Sequence, residues 1–86
     1  MTDSVVIADI LSRCLNIEVN YKGGVFQANC DFKTMEALLA DETIKLDLYC
    51  FGISIIVKSD NEGFAVSNNG AFVGDMYLAN ELDDNS

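Results

Sequence analysis

Hydrophobic positions are densest between Ile44 and Lys58, in the run IKLDLYCFGISIIVK, whose β-branched and aromatic residues suit a pleated, half-buried surface. Ile44, Leu46, Leu48 and Cys50 share one face at period two, with Lys45, Asp47 and Tyr49 on the other. Past Gly52 the apolar series moves to odd positions: Phe51, Ile53, Ile55 and Val57. A shift of one residue swaps the faces of a strand, so either the chain turns over near Gly52 or a glycine bulge re-aims the second half. An unbroken strand of this length would run about 50 Å, which no other segment can match. The pattern therefore predicts two strands, or one bent sharply at Gly52. Leu46 and Leu48 are expected beneath the helices, and Ile53, Ile55 and Val57 paired toward Phe64 and Val66.

The flanking segments divide cleanly. From Thr2 to Leu15, Thr2, Asp3 and Ser4 are candidate caps, and Ile7, Ile10, Leu11 and Cys14 recur at helical spacing, leaving Asp9, Ser12 and Arg13 outward. Gly23 and Gly24 then stand between two alternating segments, the composition of a two-residue hairpin turn that needs positive φ. With these glycines as the loop, Lys22 pairs with Val25, Tyr21 with Phe26, Val19 with Ala28, and Ile17 faces Cys30. Asp31 to Glu42 reads as a second helix, capped by Asp31 or Thr34 and burying Met35, Leu38 and Leu39. This places Asp41 and Glu42 at the negative end of its dipole, an unfavourable position sometimes kept for function.

Ser59 to Gly63 reads as a loop, with Gly63 in the left-handed position, and Asn68, Asn69 and Gly70 as a further hairpin turn. Phe64 and Val66 should share a face with Ala71 and Val73, and Phe72 should point to the other. Asp75 to Leu82 fits a short helix using Met76, Ala79 and Leu82 better than a longer strand. The sum is one small α+β domain over residues 1–82, a mostly antiparallel sheet of four to five strands with two helices packed on one face. Its order is α-β-β-α-β-β-β with a short terminal helix, and residues 83–86 are expected as a frayed acidic tail. The outer face of the sheet, apolar in part, is where a partner is expected.

Charge narrows the function. Fourteen acidic residues against five basic ones give a formal charge of −9. That excludes direct nucleic-acid binding, which needs Lys and Arg to replace counterions, and docking on an anionic membrane. It favours steering toward a basic protein. Cys14, Cys30 and Cys50 are odd in number and lie inside apolar runs, so they read as free core thiols in a reducing compartment. The opening MTDSVV has no basic region and no apolar run reaches a membrane span, so a cytoplasmic protein is expected.

Candidate chemistry is sparse. No histidine is present, which removes the commonest general base and the usual Ser–His and Cys–His systems. The cysteine spacing makes no metal pattern, and Asp60, Asn61 and Glu62 lack the ligand spacing of a calcium loop. No catalytic residue, metal or cofactor is assigned, and a non-enzymatic binding protein is expected. Its candidate contact residues are Glu36, Asp41, Glu42 and Asp47 around the second helix, with Asp60, Glu62 and Asp75 near loops.

In profile alone, the chain resembles the anti-defence inhibitors of phages and mobile elements, some of them nucleic-acid mimics; no motif carries the likeness. The same profile resembles the immunity proteins of bacterial toxins. The expected function is inhibition or neutralisation of a basic, nucleic-acid-binding partner by protein–protein contact. The alternatives are toxin immunity and a homodimeric assembly module that pairs through an exposed strand edge.

Overall fold

The computed structural model of the chain describes residues 3–58 and 63–79. In chain order the elements are α1 Ser4–Leu15, β1 Val19–Lys22, β2 Val25–Ala28, α2 Phe32–Ala40, α3 Glu42–Cys50, β3 Ile53–Val57, β4 Phe64–Asn68 and β5 Ala71–Leu78. The strands form one sheet in the order β1-β2-β5-β4-β3. Neighbours run antiparallel except β2 and β5, which are parallel. The α+β class and the mostly antiparallel sheet agree with the sequence pattern. The parallel pair and a third helix were not foreseen by it.

Asp3 caps α1 by accepting the Val5 N–H at 3.3 Å, and Asn16 ends it in the left-handed conformation. Ile7, Ala8, Leu11 and Leu15 form its buried stripe. Ser12, expected outward, instead ties the helix to the sheet. Its hydroxyl accepts the Val19 N–H at 2.9 Å and lies 3.0 Å from the carbonyls of Ala8 and Val19. The first hairpin has the predicted register, with Val19 opposite Ala28, Tyr21 opposite Phe26 and Lys22 opposite Val25. Gly23 and Gly24 both take positive φ, as a two-residue turn between twisted strands demands.

The largest correction lies in the run that dominates the sequence. Asp31 caps α2 as predicted, its carboxylate accepting the Thr34 N–H at 2.8 Å. That helix stops at Ala40, because Asp41 is extended and its Oδ1 accepts the N–H groups of Thr43 and Ile44 at 2.9 and 3.1 Å. Ile44 to Cys50 is therefore helix α3 and not a strand. Asp41 does end α2, as its C-cap, but it is also the N-cap of α3, which Glu42 opens and where the dipole favours negative charge. Ile44 and Leu48 are four apart, so one pair satisfies both the strand and the helix period. Leu48 is buried and Ile44 packs against the core, whereas Leu46 and Cys50 point to solvent. The break itself falls where expected: Gly52, at φ 71, carries the chain from α3 into β3.

β3 pairs with β4 through Ile55 opposite Val66 and Val57 opposite Phe64, as predicted, while the interior of the loop at 59–62 lies outside the described residues. Asn69 and Gly70, both at positive φ, turn β4 into β5. A bulge between Val66 and Ser67 then shifts the register, so Val66 meets Gly74 and Phe64 meets Met76. Beyond the bulge the core face of β5 therefore carries Gly74, Met76 and Leu78, not the series expected from Ala71 and Val73. Phe72 does point to the other face and is exposed. The short helix expected from Asp75 is also corrected: Asp75 to Leu78 continue the strand, because pairing with both β2 and β4 supplies ladder hydrogen bonds on either side. Leu82 and residues 83–86 lie outside the described residues.

Cross-strand partners share a face, so the registers place Tyr21, Phe26, Met76, Phe64 and Val57 in one row across all five strands. Phe26, Met76 and Phe64 are fully buried at its centre, with Met35 of α2 and Ile7, Leu11 and Leu15 of α1 in the same core. The cap at Asp41 is the switch that makes two helices from one acidic stretch. Asp41→Ala should cost about 1 kcal/mol, the usual value of a lost N-cap, and lower the melting temperature by roughly 4–8 °C. Thermal unfolding followed by circular dichroism tests this, with loss of helical signal before global melting marking α3 as the affected element.

Candidate binding surface

Carboxylates and strands are segregated in this fold. Among the described residues, the strands carry one carboxylate, Asp75, which pairs with Lys58 at 3.4 Å. The Lys58 ammonium also lies 5.9 Å from the centre of the Tyr77 ring. Asp3, Asp9, Asp31, Glu36, Asp41, Glu42 and Asp47 all belong to the helices or their caps. Among the described residues the helical layer thus carries most of the carboxylates, and the strands' outer face carries only Asp75, beside Lys58 and Lys22.

α3 is the element least explained by packing. It buries only Leu48, at 5% exposure, while Leu46 is 62% exposed, Tyr49 79% and Phe51, just past its end, 51%. On the helix surface Lys45 and Leu46 each lie three or four residues from both Glu42 and Tyr49, so the four form one continuous strip. Glu42 pairs with Lys45 at 3.6 Å on this exposed surface, a contact of little energetic weight. Asp47 lies one position further round.

Of the residues singled out from the sequence, Asp41 caps α3 and Glu42 and Asp47 lie on it, about 140° apart with Asp47 toward Cys14 of α1, and Glu36 is on the adjoining α2. Glu36 and Lys45 face the same groove, about 310 Å³ in volume, together with Leu39, Ala40, Ile55, Val57 and Phe64. Asp75 does not join them; it lies on the outer face of the sheet, bound to Lys58. Asp60 and Glu62 lie outside the described residues. The sequence reading missed Leu46, Tyr49 and Phe51 as surface residues because a strand assignment put Leu46 in the core. The signal that could have found them is the Asp-Glu pair read as a helix start, which turns the following alternation into a helix with a one-residue buried stripe.

No protein-family model matches the chain, and no curated protein or solved structure matches it significantly. The surface must therefore be read from its own chemistry. Among the described residues no cluster of three or more metal-ligating side chains occurs, and no helix is long and apolar enough to cross a membrane.

The cysteines also need correction, since only Cys30 is a core thiol. Cys14 is half-buried and Cys50 is exposed at the end of α3. Burial, followed by the nearby Asp47 carboxylate and Cys50, pushes the Cys14 thiol above its ordinary value. Alkylation should therefore modify Cys50 first and Cys30 last, as peptide mapping after brief labelling will show. A raised thiol value has a thermodynamic consequence. Above about pH 8.5–9 the unfolded chain gives up this proton before the folded one, so stability falls as pH rises through that window. Cys14→Ser should flatten the fall, measured by melting temperature across the same range; an unchanged slope would assign the loss to other groups.

Proposed function

We propose that the protein is a small non-enzymatic binding protein that inhibits or neutralises a basic partner protein by direct contact through α3. The surface it occupies on that partner is one that otherwise holds nucleic acid. The observation that carries this reading is the composition of α3: a single buried residue, an exposed Leu46–Tyr49–Phe51 patch, and Asp41, Glu42 and Asp47 around it.

A helix held by so little core contact is held in part by its cap, and its apolar side chains remain in water unless a second molecule covers them. Tyrosine in an apolar patch with a polar rim is the usual composition of a binding hot spot. The carboxylates give the encounter its direction, because a chain of charge −9 is drawn to a cationic groove and repelled by nucleic acid and anionic membranes. Glu42 and Asp47 would meet the partner's cationic groups, and the patch would supply the apolar contact that a nucleic acid lacks. The short acidic profile accords with inhibitors carried by phages and mobile elements.

Asp41 is a poor residue for testing this surface, since its removal also uncaps the helix. The informative variants are Glu42→Lys with Asp47→Lys, and Tyr49→Ala. The probes are purified nucleic-acid-cleaving enzymes of three kinds, namely RNA-guided nucleases, restriction endonucleases and bacterial toxin nucleases, assayed for binding and for activity with and without the protein. An inhibited enzyme should bind with an affinity that drops at least tenfold between about 50 and 300 mM salt. The double reversal should weaken binding by a further factor of about ten, and Tyr49→Ala by about thirtyfold, the effect of a hot-spot residue. Binding that is indifferent to both variants would refute α3 as the contact, and no inhibition across the panel would refute the proposed target.

A further inference from the structure

We propose that β3 is a dimerisation edge, on which a second copy of this chain adds its own β3 in antiparallel order about a two-fold axis at Ile55. This inference does not depend on the partner of α3.

β3 is the last strand of the sheet. Its hydrogen-bond parity is fixed at both ends, where the Asn69 N–H donates to the Gly52 carbonyl at 2.7 Å and the Lys58 N–H donates to the Gly63 carbonyl at 3.0 Å. Even-numbered residues between them therefore turn their backbone groups toward β4. Ile53, Ile55 and Val57 turn theirs away from the sheet, to an edge that faces no strand among the described residues. Such an edge is a template for another strand unless it is short, charged, bulged or covered. This one has no proline, no bulge and no charge between Gly52 and Lys58.

The side chains are equally open. Val57 is 46% exposed although it faces the helical side, and Ile56 is 63% exposed on the outer side. On the helical side two grooves of about 300 and 310 Å³ run along the edge, walled by Leu39, Leu48 and Tyr49 and by Glu36 and Lys45. Residues at alternate positions of an added strand would enter them, as in other cases of strand addition.

The occupant is identified by symmetry and charge. The outward groups fall at three alternate positions, so an antiparallel copy centred on Ile55 pairs Ile53 with Val57, Ile55 with Ile55, and Val57 with Ile53. Each of these is a hydrogen-bonded pair, and every outward N–H and carbonyl finds a partner. Ser54 and Ile56 then oppose each other on the outer face. A strongly acidic chain can meet itself only where carboxylates are absent, and no acidic residue occurs between Asp47 and Asp60. The groove wall adds one carboxylate, Glu36, beside one ammonium, Lys45.

The experiment combines sedimentation with site-resolved amide exchange on the full chain. From about 1 to 100 µM the protein should pass from monomer to dimer by mass action. The amides of Ile53, Ile55 and Val57 should gain at least tenfold protection over that range, whereas those of Ser54, Ile56 and Lys58 are protected throughout by β4. Val57→Pro removes an outward N–H and no bond to β4, a position where edge strands accept proline, and should leave a folded monomer. A chain that stays monomeric, a dimer whose three outward amides still exchange quickly, or a folded Val57→Pro dimer would each overturn the proposal. Because the exchange pattern is read on the unaltered protein, the test stands even if the variant fails to fold.

Discussion

The row Tyr21–Phe26–Met76–Phe64–Val57 is the constraint on which this fold depends. It joins the first hairpin to the last one, and its central contact, Phe26 with Met76, links residues 50 apart and cannot form locally. Phe26, Met76 and Phe64 are wholly removed from water. Full burial of such side chains contributes roughly 1.5–3 kcal/mol each, a large part of what stabilises a domain this small. Gly74 shows how tight the row is: at φ 157, an added Cβ would stand 3.2 Å from the Phe26 ring. The bulge in β5 puts this glycine, and not Val73, opposite Val66 on the core face.

That constraint explains what could be read from the sequence and what could not. The first hairpin was legible because its turn glycines and its alternation are local and independent. The break at Gly52 was legible because a change of phase has few causes. The strand pairing of Ile53 to Val57 with Phe64 and Val66 followed from the same logic. The nature of Ile44 to Cys50 was hidden, since Ile44 and Leu48 fit both periods and only the backbone bonds of Asp41 decide between them. The parallel pairing of β2 with β5 and the bulge in β5 left no local mark, because both are set by packing on the Phe26 row. Among the candidate contact residues, Asp41, Glu42 and Asp47 were singled out by their charge, and the helix end read at Asp41 is also the start of a second helix, which the pattern did not reveal.

The segregation of charge follows from the same architecture. Four strands and half of the fifth read as uncharged save for Lys22, and among the described residues the acidic ones other than Glu18 and Asp75 fall on helices or their caps. Asp3, Asp31 and Asp41 each satisfy helix N–H groups, so part of the acidic count has a structural origin. The Thr34 hydrogen bonds hold the Asp31 carboxyl below its usual range, which marks it as bound into its cap. Glu36, Glu42 and Asp47 have no such duty. Subtracting the caps leaves Glu42 and Asp47 on α3, where Leu46 and Tyr49 are more exposed than Val5 and Val6 are on α1.

Tyr49 connects the two surfaces. It belongs to the exposed strip of α3 and also lines the groove along β3. A strand added to β3 would pack its helical-side residues next to this ring, and a partner on α3 would use it as an anchor. Two ligands that contact one side chain are coupled by thermodynamic necessity, and each changes the affinity of the other by the same factor. If both cover the same face of the ring, pairing at β3 and binding at α3 oppose one another. If they use opposite faces, ordering the ring once serves both, and a dimer would present two acidic strips in fixed relation to a partner of matching symmetry. If both proposals hold, the ring's two faces, and not the net charge of the chain, set whether the protein binds as a monomer or a pair.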